Sequence, residues 1–280
     1  MKTPASPLLA ALLIVLIHTA CKKSLPAAVG NTLTKTATST AGNAQSMQID
    51  TFIYNNQNQL AVVITGIIGS SGGDTVSFQY DASGRLTSFI PGSWPLGYPL
   101  FRYDMGYNSS GQLVTATAVP LVPGYSTESY SYGYNAAGQL TSDSVLEQPL
   151  LASPALAVTV YDTYTYDENG NLIVDSSYRS TNASPFGPPF AAQSGAHYTY
   201  DTHVNPYYNM GIPLAAPVLE NFQILSKNNV VSVLSTTPLS MTTSFSYSYY
   251  SNGRPRTQAL FSAGVNGNPP LNYTTEYFYQ

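Results

Sequence analysis

Aromatic and small polar residues alternate at period two in short runs: Phe78/Tyr80, Tyr130/Tyr132/Tyr134, Tyr164/Tyr166 and Phe245/Tyr247/Tyr249. That is the repeat of a β-strand with one buried face. After the N-terminal segment no window of about 12 residues carries a helical period. Most alternating runs end in Tyr-(Asp/Asn)-x-x-Gly, at 80–84, 107–111, 134–138 and 166–170. Leu86, Leu113, Leu140 and Leu172 follow each glycine by two residues. Weaker copies stand at 54–58, with Leu60, and at 249–253. An internal repeat is present.

The chemistry of the motif states what it builds. Asp or Asn at the first position bonds to its own backbone, and Gly84, Gly111, Gly138 and Gly170 accept φ > 0. Together they specify a type I turn closed by a G1 bulge, a common hairpin connection. Proline-rich stretches around Pro91/Pro95, Pro120/Pro123, Pro149/Pro154 and Pro185/Pro188/Pro189 separate the hairpins, and proline cannot donate to a ladder. The expected fold is all-β, with about a dozen strands in a repetitive antiparallel meander of hairpins. An extended twisted sheet is the leading arrangement, and a closed or wrapped barrel is the alternative.

The first 20 residues read differently. Lys2 precedes an apolar run from Leu8 to Ile17, too short for a spanning helix of about 20 residues and of secretory-signal proportions. His18-Thr19-Ala20-Cys21 then resembles a lipobox, which implies lipid attachment at Cys21 and anchoring to a membrane. Cys21-Lys22-Lys23 resembles the start of Bacteroidetes-type lipoproteins, which implies an envelope location at the outer membrane, on either face. From Ser24 to Gln48 the chain is rich in Ser, Thr, Ala and Gly without apolar period. The expected organisation is therefore a signal peptide over 1–20, lipidated Cys21 with a flexible tether over 21–48, and a repeat domain over 49–280.

Composition narrows the partners. Charged residues are 9% of the 280-residue chain and the formal net charge is −4. No basic stripe exists to neutralise phosphates, so nucleic acid is excluded as a partner. With Cys21 as the one cysteine, no internal disulfide and no thiolate metal cluster can form.

The turns resemble the YD repeat of RHS-type proteins, Tyr-x-Tyr-Asp-x-x-Gly-Arg-Leu. Residues 78–86 match it apart from Phe78, and residues 164–172 match apart from Asn171. Tyr198-Thr199-Tyr200-Asp201, Asn205-Pro206-Tyr207 and Ser226-Lys227-Asn228-Asn229 are similar to segments of Bacteroidetes-type lipoproteins with YD-like repeats. The resemblance implies architecture and supplies no catalytic residues.

Candidate chemistry is sparse. His197 and His203 lack enough nearby ligands for zinc. Gly69-Ser70-Ser71-Gly72-Gly73 fits a nucleophile motif around Ser71, but a strand pattern follows where a helix is required. Asp81 and Asp167 are turn caps, Asp143 and Asp175 fall on strands, and no carboxylate pair stands out. Asp167-Glu168-Asn169-Gly170-Asn171 lacks the ligand set of a calcium loop. No catalytic residue, metal ligand or cofactor is assigned. The aromatic stripes offer flat platforms for stacking, with Trp94, Tyr132, Tyr164 and Tyr247 as candidate ligand contacts. The expected function is a non-enzymatic, membrane-tethered scaffold or binding module for glycan or envelope protein. The alternative is a glycoside hydrolase or other carboxylate-based hydrolase, which requires two carboxylates about 5–9 Å apart in a cleft.

Overall fold

The computed structural model describes residues 31–40, 43–67, 73–92, 100–125, 127–147, 158–181, 191–216, 219, 221–236, 240–263 and 270–280. Cys21, Ser71 and Trp94 lie outside the described residues. Sixteen strands follow in chain order: β1 (Leu33–Thr40), β2 (Asn43–Tyr54), β3 (Leu60–Ile67), β4 (Gly73–Tyr80), β5 (Leu86–Pro91), β6 (Phe101–Tyr107), β7 (Leu113–Pro120) and β8 (Glu128–Tyr134). The second half comprises β9 (Leu140–Glu147), β10 (Val158–Tyr166), β11 (Leu172–Thr181), β12 (Ala191–Val204), β13 (Asn228–Ser235), β14 (Met241–Tyr249), β15 (Pro255–Ser262) and β16 (Leu271–Tyr279). One short helix, α1 (Asn221–Leu225), lies between β12 and β13.

Each strand pairs antiparallel with its sequence neighbours, and β1 pairs with β16 to close the sheet. The expected extended sheet is thus corrected to a sixteen-stranded closed barrel. Closure removes both edges, whose unpaired N–H and C=O groups would otherwise template association with other chains. The expected tether is corrected as well. Leu33–Thr40 is β1, and β2 begins at Asn43. Of β1 only Leu33, Thr36 and Ala37 are buried, so its strand character comes from pairing on both sides rather than from an apolar pattern.

The repeats build one end of the barrel. In the turn after β4, Gly84 N–H donates to the Asp81 carbonyl at 2.9 Å and Asp81 N–H to the Arg85 carbonyl at 2.9 Å. Asp81 Oδ1 accepts from the Ser83 and Arg85 amides at 2.9 and 3.0 Å. The same pattern recurs at Asn55, Asn108 and Asn135, with Asn58 at φ 60° where later copies have Gly84, Gly111, Gly138, Gly170 and Gly253 at φ 78–85°.

Burial alternates along several strands, with most of their aromatics inward. In β14 the sequence Thr242, Ser244, Ser246, Ser248 is exposed, while Phe245, Tyr247 and Tyr249 are not. In β7, Thr115 and Thr117 are exposed while Ala116 and Ala118 are fully buried. Sixteen strands enclose more space than two layers of side chains fill. The excess is occupied by the β12–β13 connection, through its described residues 205–216, 219 and 221–227. Its Tyr207, Ile212 and Ala216 pack with Phe52 and Tyr277 on one side, and its Phe222 and Leu225 pack with Tyr198 and Phe245 on the other.

Candidate functional site

The lumen segment is pinned at both ends. Asn205 donates its amide to the Gln223 and Ser226 carbonyls at 2.7 and 2.8 Å. Ser226 Oγ donates to Tyr200 Oη at 2.8 Å and accepts the Leu172 amide at 3.1 Å. Through these bonds the 198–201, 205–207 and 226–229 segments tie a plug to its wall.

Beyond the plug, toward the long connections, the lumen widens into a chamber of about 530 Å³. The pairing register brings two carboxylates, Asp162 and Asp175, to its wall and sets Asp143 beside them. Asp143 stands opposite Asp162, Asp162 opposite Ser177, and Tyr164 opposite Asp175. Cross-strand partners share a face, and diagonal neighbours sit roughly 7–8 Å apart, which is the relation of Asp162 to Asp175. Tyr164 Oη donates to Asp143 Oδ1 at 2.5 Å, and Tyr198 Oη donates to Asp175 Oδ2 at 2.6 Å. Asn221, on α1, donates to Tyr164 Oη at 3.3 Å and so couples the plug to this cluster. Asp162 Oδ1 is buried without a hydrogen-bond partner. Ser177, Ser194 and Met241 complete the chamber lining.

Burial raises all three carboxyls above the ordinary aspartate range, taking Asp143 to about 6. Hydrogen bonds from Tyr164 to Asp143 and from Tyr198 to Asp175 act in the opposite direction without cancelling the burial. Among the described residues no Lys or Arg pairs with the three; the ion pairs found are Arg85–Asp81, Arg102–Asp104 and His203–Asp201, the last with His203 charged only if protonated. The other lumen acids follow the same rule. Glu128 accepts from Tyr103 and Tyr130 at 3.2 and 3.1 Å, and Asp50 accepts from Thr36 and Thr65 at 3.1 and 2.8 Å.

The chain matches no protein-family model and no curated protein. Among solved structures it is similar to a porin-like protein from Bacteroides uniformis, with a TM-score of 0.56 at 14% identity over 89% of this chain and 98% of that one. A porin-like protein from Bacteroides vulgatus gives a TM-score of 0.52 at 11% identity over 89% and 99% of the two chains. The barrel fold is shared.

The residues read as candidate contacts take different positions from those expected. Tyr132 and Tyr164 are 8% and 5% exposed, so they face the packed lumen rather than an open sheet surface. Tyr247 donates to the Val230 carbonyl at 2.9 Å. Of these, Tyr164 lines the chamber. His197 is exposed, while His203 stacks on Tyr249 with 3.8 Å between ring centroids. No group of three potential metal ligands forms among the described residues. Asp162 was missed in sequence: it stands alone among Thr and Tyr, and only the register sets it beside Asp143 and Asp175. Its signal was the phase, since Asp162 and Tyr164 share the inward period of Tyr166.

Proposed function

We propose that this chain is a non-enzymatic barrel of the bacterial envelope that binds a polyhydroxylated ligand, a saccharide of one or two rings, in the lumen chamber. The carrying observation is the pair of carboxylates, Asp162 and Asp175, lining a 530 Å³ cavity beside the hydroxyls of Tyr164 and Tyr198 rather than cations. Sugar hydroxyls would extend the donor pattern that Tyr164 and Tyr198 already supply, and Asp162 Oδ1 is an acceptor with capacity to spare. The volume falls within the roughly 300–1,000 Å³ of small-molecule sites.

The barrel is proposed to stand in water and to be held at the membrane by lipid on Cys21. A membrane-spanning barrel turns an apolar band outward and a polar wall inward. Here exposed Ser and Thr face out and aromatic rings face in. Among the described residues nine large apolar side chains are exposed, spread over β2, β3, β12, β13, β15, β16 and the β7–β8 connection.

Calorimetric titration with mono- and disaccharides tests this reading. Saturable binding is expected, weakened about tenfold or more by Asp162→Asn, since hydrogen bonds to charged groups contribute about 1.5–3 kcal/mol. A spermidine titration is the counter-arm: binding of the polyamine without any sugar binding would overturn the polyhydroxyl reading. A second reading is glycoside hydrolysis by Asp162 and Asp175, which stand diagonally across the β10–β11 pair. Release of reducing ends that disappears in Asp162→Asn and Asp175→Asn would favour it over simple binding.

A further inference from the structure

A second cavity, of about 700 Å³, lies at the turn end between the plug and the wall made by β7–β10. About half of its lining is apolar: Leu113 and Leu140 from the barrel, Ile212, Leu214, Ile224 and Leu225 from the plug. Asp167 and Glu168 from the turn and Lys227 from the plug bring both signs of charge to its rim.

Two hydroxyls set this cavity apart. Tyr132 is 8% exposed, and its Oη is buried without a hydrogen-bond partner. The Ala215 amide faces it but does not reach hydrogen-bonding geometry. Tyr166 lacks a bond that five other tyrosines make. Tyr54, Tyr80, Tyr107, Tyr134 and Tyr200 each donate to the carbonyl of the leucine that opens the strand before, at 2.6–2.9 Å. Tyr166 makes no such bond to Leu140. Yet the β9–β10 ladder ends at Ser142–Thr163, the same offset at which the β7–β8 ladder ends at Thr115–Ser131. Both tyrosines line the cavity. A buried hydroxyl left without a partner is costly, so a molecule that supplies one gains by doing so.

We infer that this cavity is a binding site for a small uncharged amphipathic molecule. Its apolar body lies between Leu140 and Leu225, and its carbonyl or ether oxygen accepts from Tyr132 and Tyr166. The site is separate from the carboxylate chamber, and Asp162, Asp175 and Tyr198 do not line it. The inference stands whether or not a saccharide occupies the chamber.

The test uses prodan, a neutral naphthalene ketone whose emission reports both polarity and hydrogen bonding to its carbonyl, titrated into the intact chain. One saturable site with blue-shifted emission is expected. Leu225→Trp fills the cavity and should abolish binding. Ala137→Trp, on an exposed turn residue of the lining, should do the same without touching the core. Tyr132→Phe should weaken binding about five- to tenfold and shift the emission further to the blue, as the carbonyl loses a donor. Asp162→Asn should leave binding unchanged. Absence of saturable binding, or binding that survives both tryptophan variants, overturns the assignment.

Discussion

Tyr80 Oη donates to the Leu60 carbonyl at 2.8 Å, from the last residue of β4 to the first residue of β3. The β3–β4 ladder has already ended at Val62–Ser77, so the two strands splay at the turn end and the Leu60 carbonyl has no ladder donor. The tyrosine hydroxyl spans the gap. Repeated at Tyr54, Tyr107, Tyr134 and Tyr200, this bond laces one hairpin to the next around the barrel. It gives the motif's Tyr and Leu a joint reason, and it explains why Phe does not replace Tyr at these positions.

Tyr80→Phe should therefore destabilise the barrel by about 1–2 kcal/mol, because it leaves a part-buried carbonyl without a donor. Tyr166→Phe, at a seam without this bond, should cost less than about 0.5 kcal/mol. Urea unfolding with unchanged m-values would measure both. Equal losses in the two variants would contradict the lacing role.

Gly111 has φ +79°, and a Cβ placed there would meet nothing within 4 Å. The cost of Gly111→Ala is then backbone strain alone, about 1–2 kcal/mol. Gly111→Asn should cost less, since Asn58 holds φ 60° at the equivalent place in the first copy. The same unfolding series checks the order.

The carboxylate chamber makes stability depend on pH. Asp143 is raised by burial from 3.8 to about 6, so the folded state holds its proton more tightly than the unfolded chain. Its stabilising contribution is complete below pH 4 and is lost as pH rises through about 6, at most roughly 3 kcal/mol at 1.36 kcal/mol per pH unit. Asp162 and Asp175, also raised, act with the same sign. Thermal melting should shift upward between pH 7 and pH 5. In Asp143→Asn, which keeps an oxygen for Tyr164 to donate to, that rise should shrink and stability at pH 7 should exceed that of the parent. A melting temperature that falls steadily over this window would contradict the burial of these groups.

The turns were legible because their chemistry is local. Asp81 bonds to amides two and four residues ahead, and Gly84 carries its own conformational signature. Closure was not legible, because the partners are remote: Leu33 meets Tyr279, and nothing in Leu33–Thr40 announces a strand. The direction of the aromatic face was hidden for the same reason, since period two fixes alternation without choosing the inside. The chamber depends on register across four strands. Asp143 and Asp175 were visible on strands, but Asp162 completes the cluster only once β9, β10 and β11 are aligned.

The central claim is that β1 and β16 close the sheet and turn the tyrosines inward. Thr38 and Thr275 are register partners in that seam, with their hydroxyl oxygens 2.9 Å apart. In a chain carrying Cys21→Ser, the pair Thr38→Cys and Thr275→Cys can be oxidised and weighed by mass spectrometry after digestion. A 38–275 disulfide formed in near-quantitative yield within the folded monomer, with a raised melting temperature, is the result expected. Two free thiols under the same oxidation, or crosslinks only between molecules, would mean an open sheet and contradict the barrel.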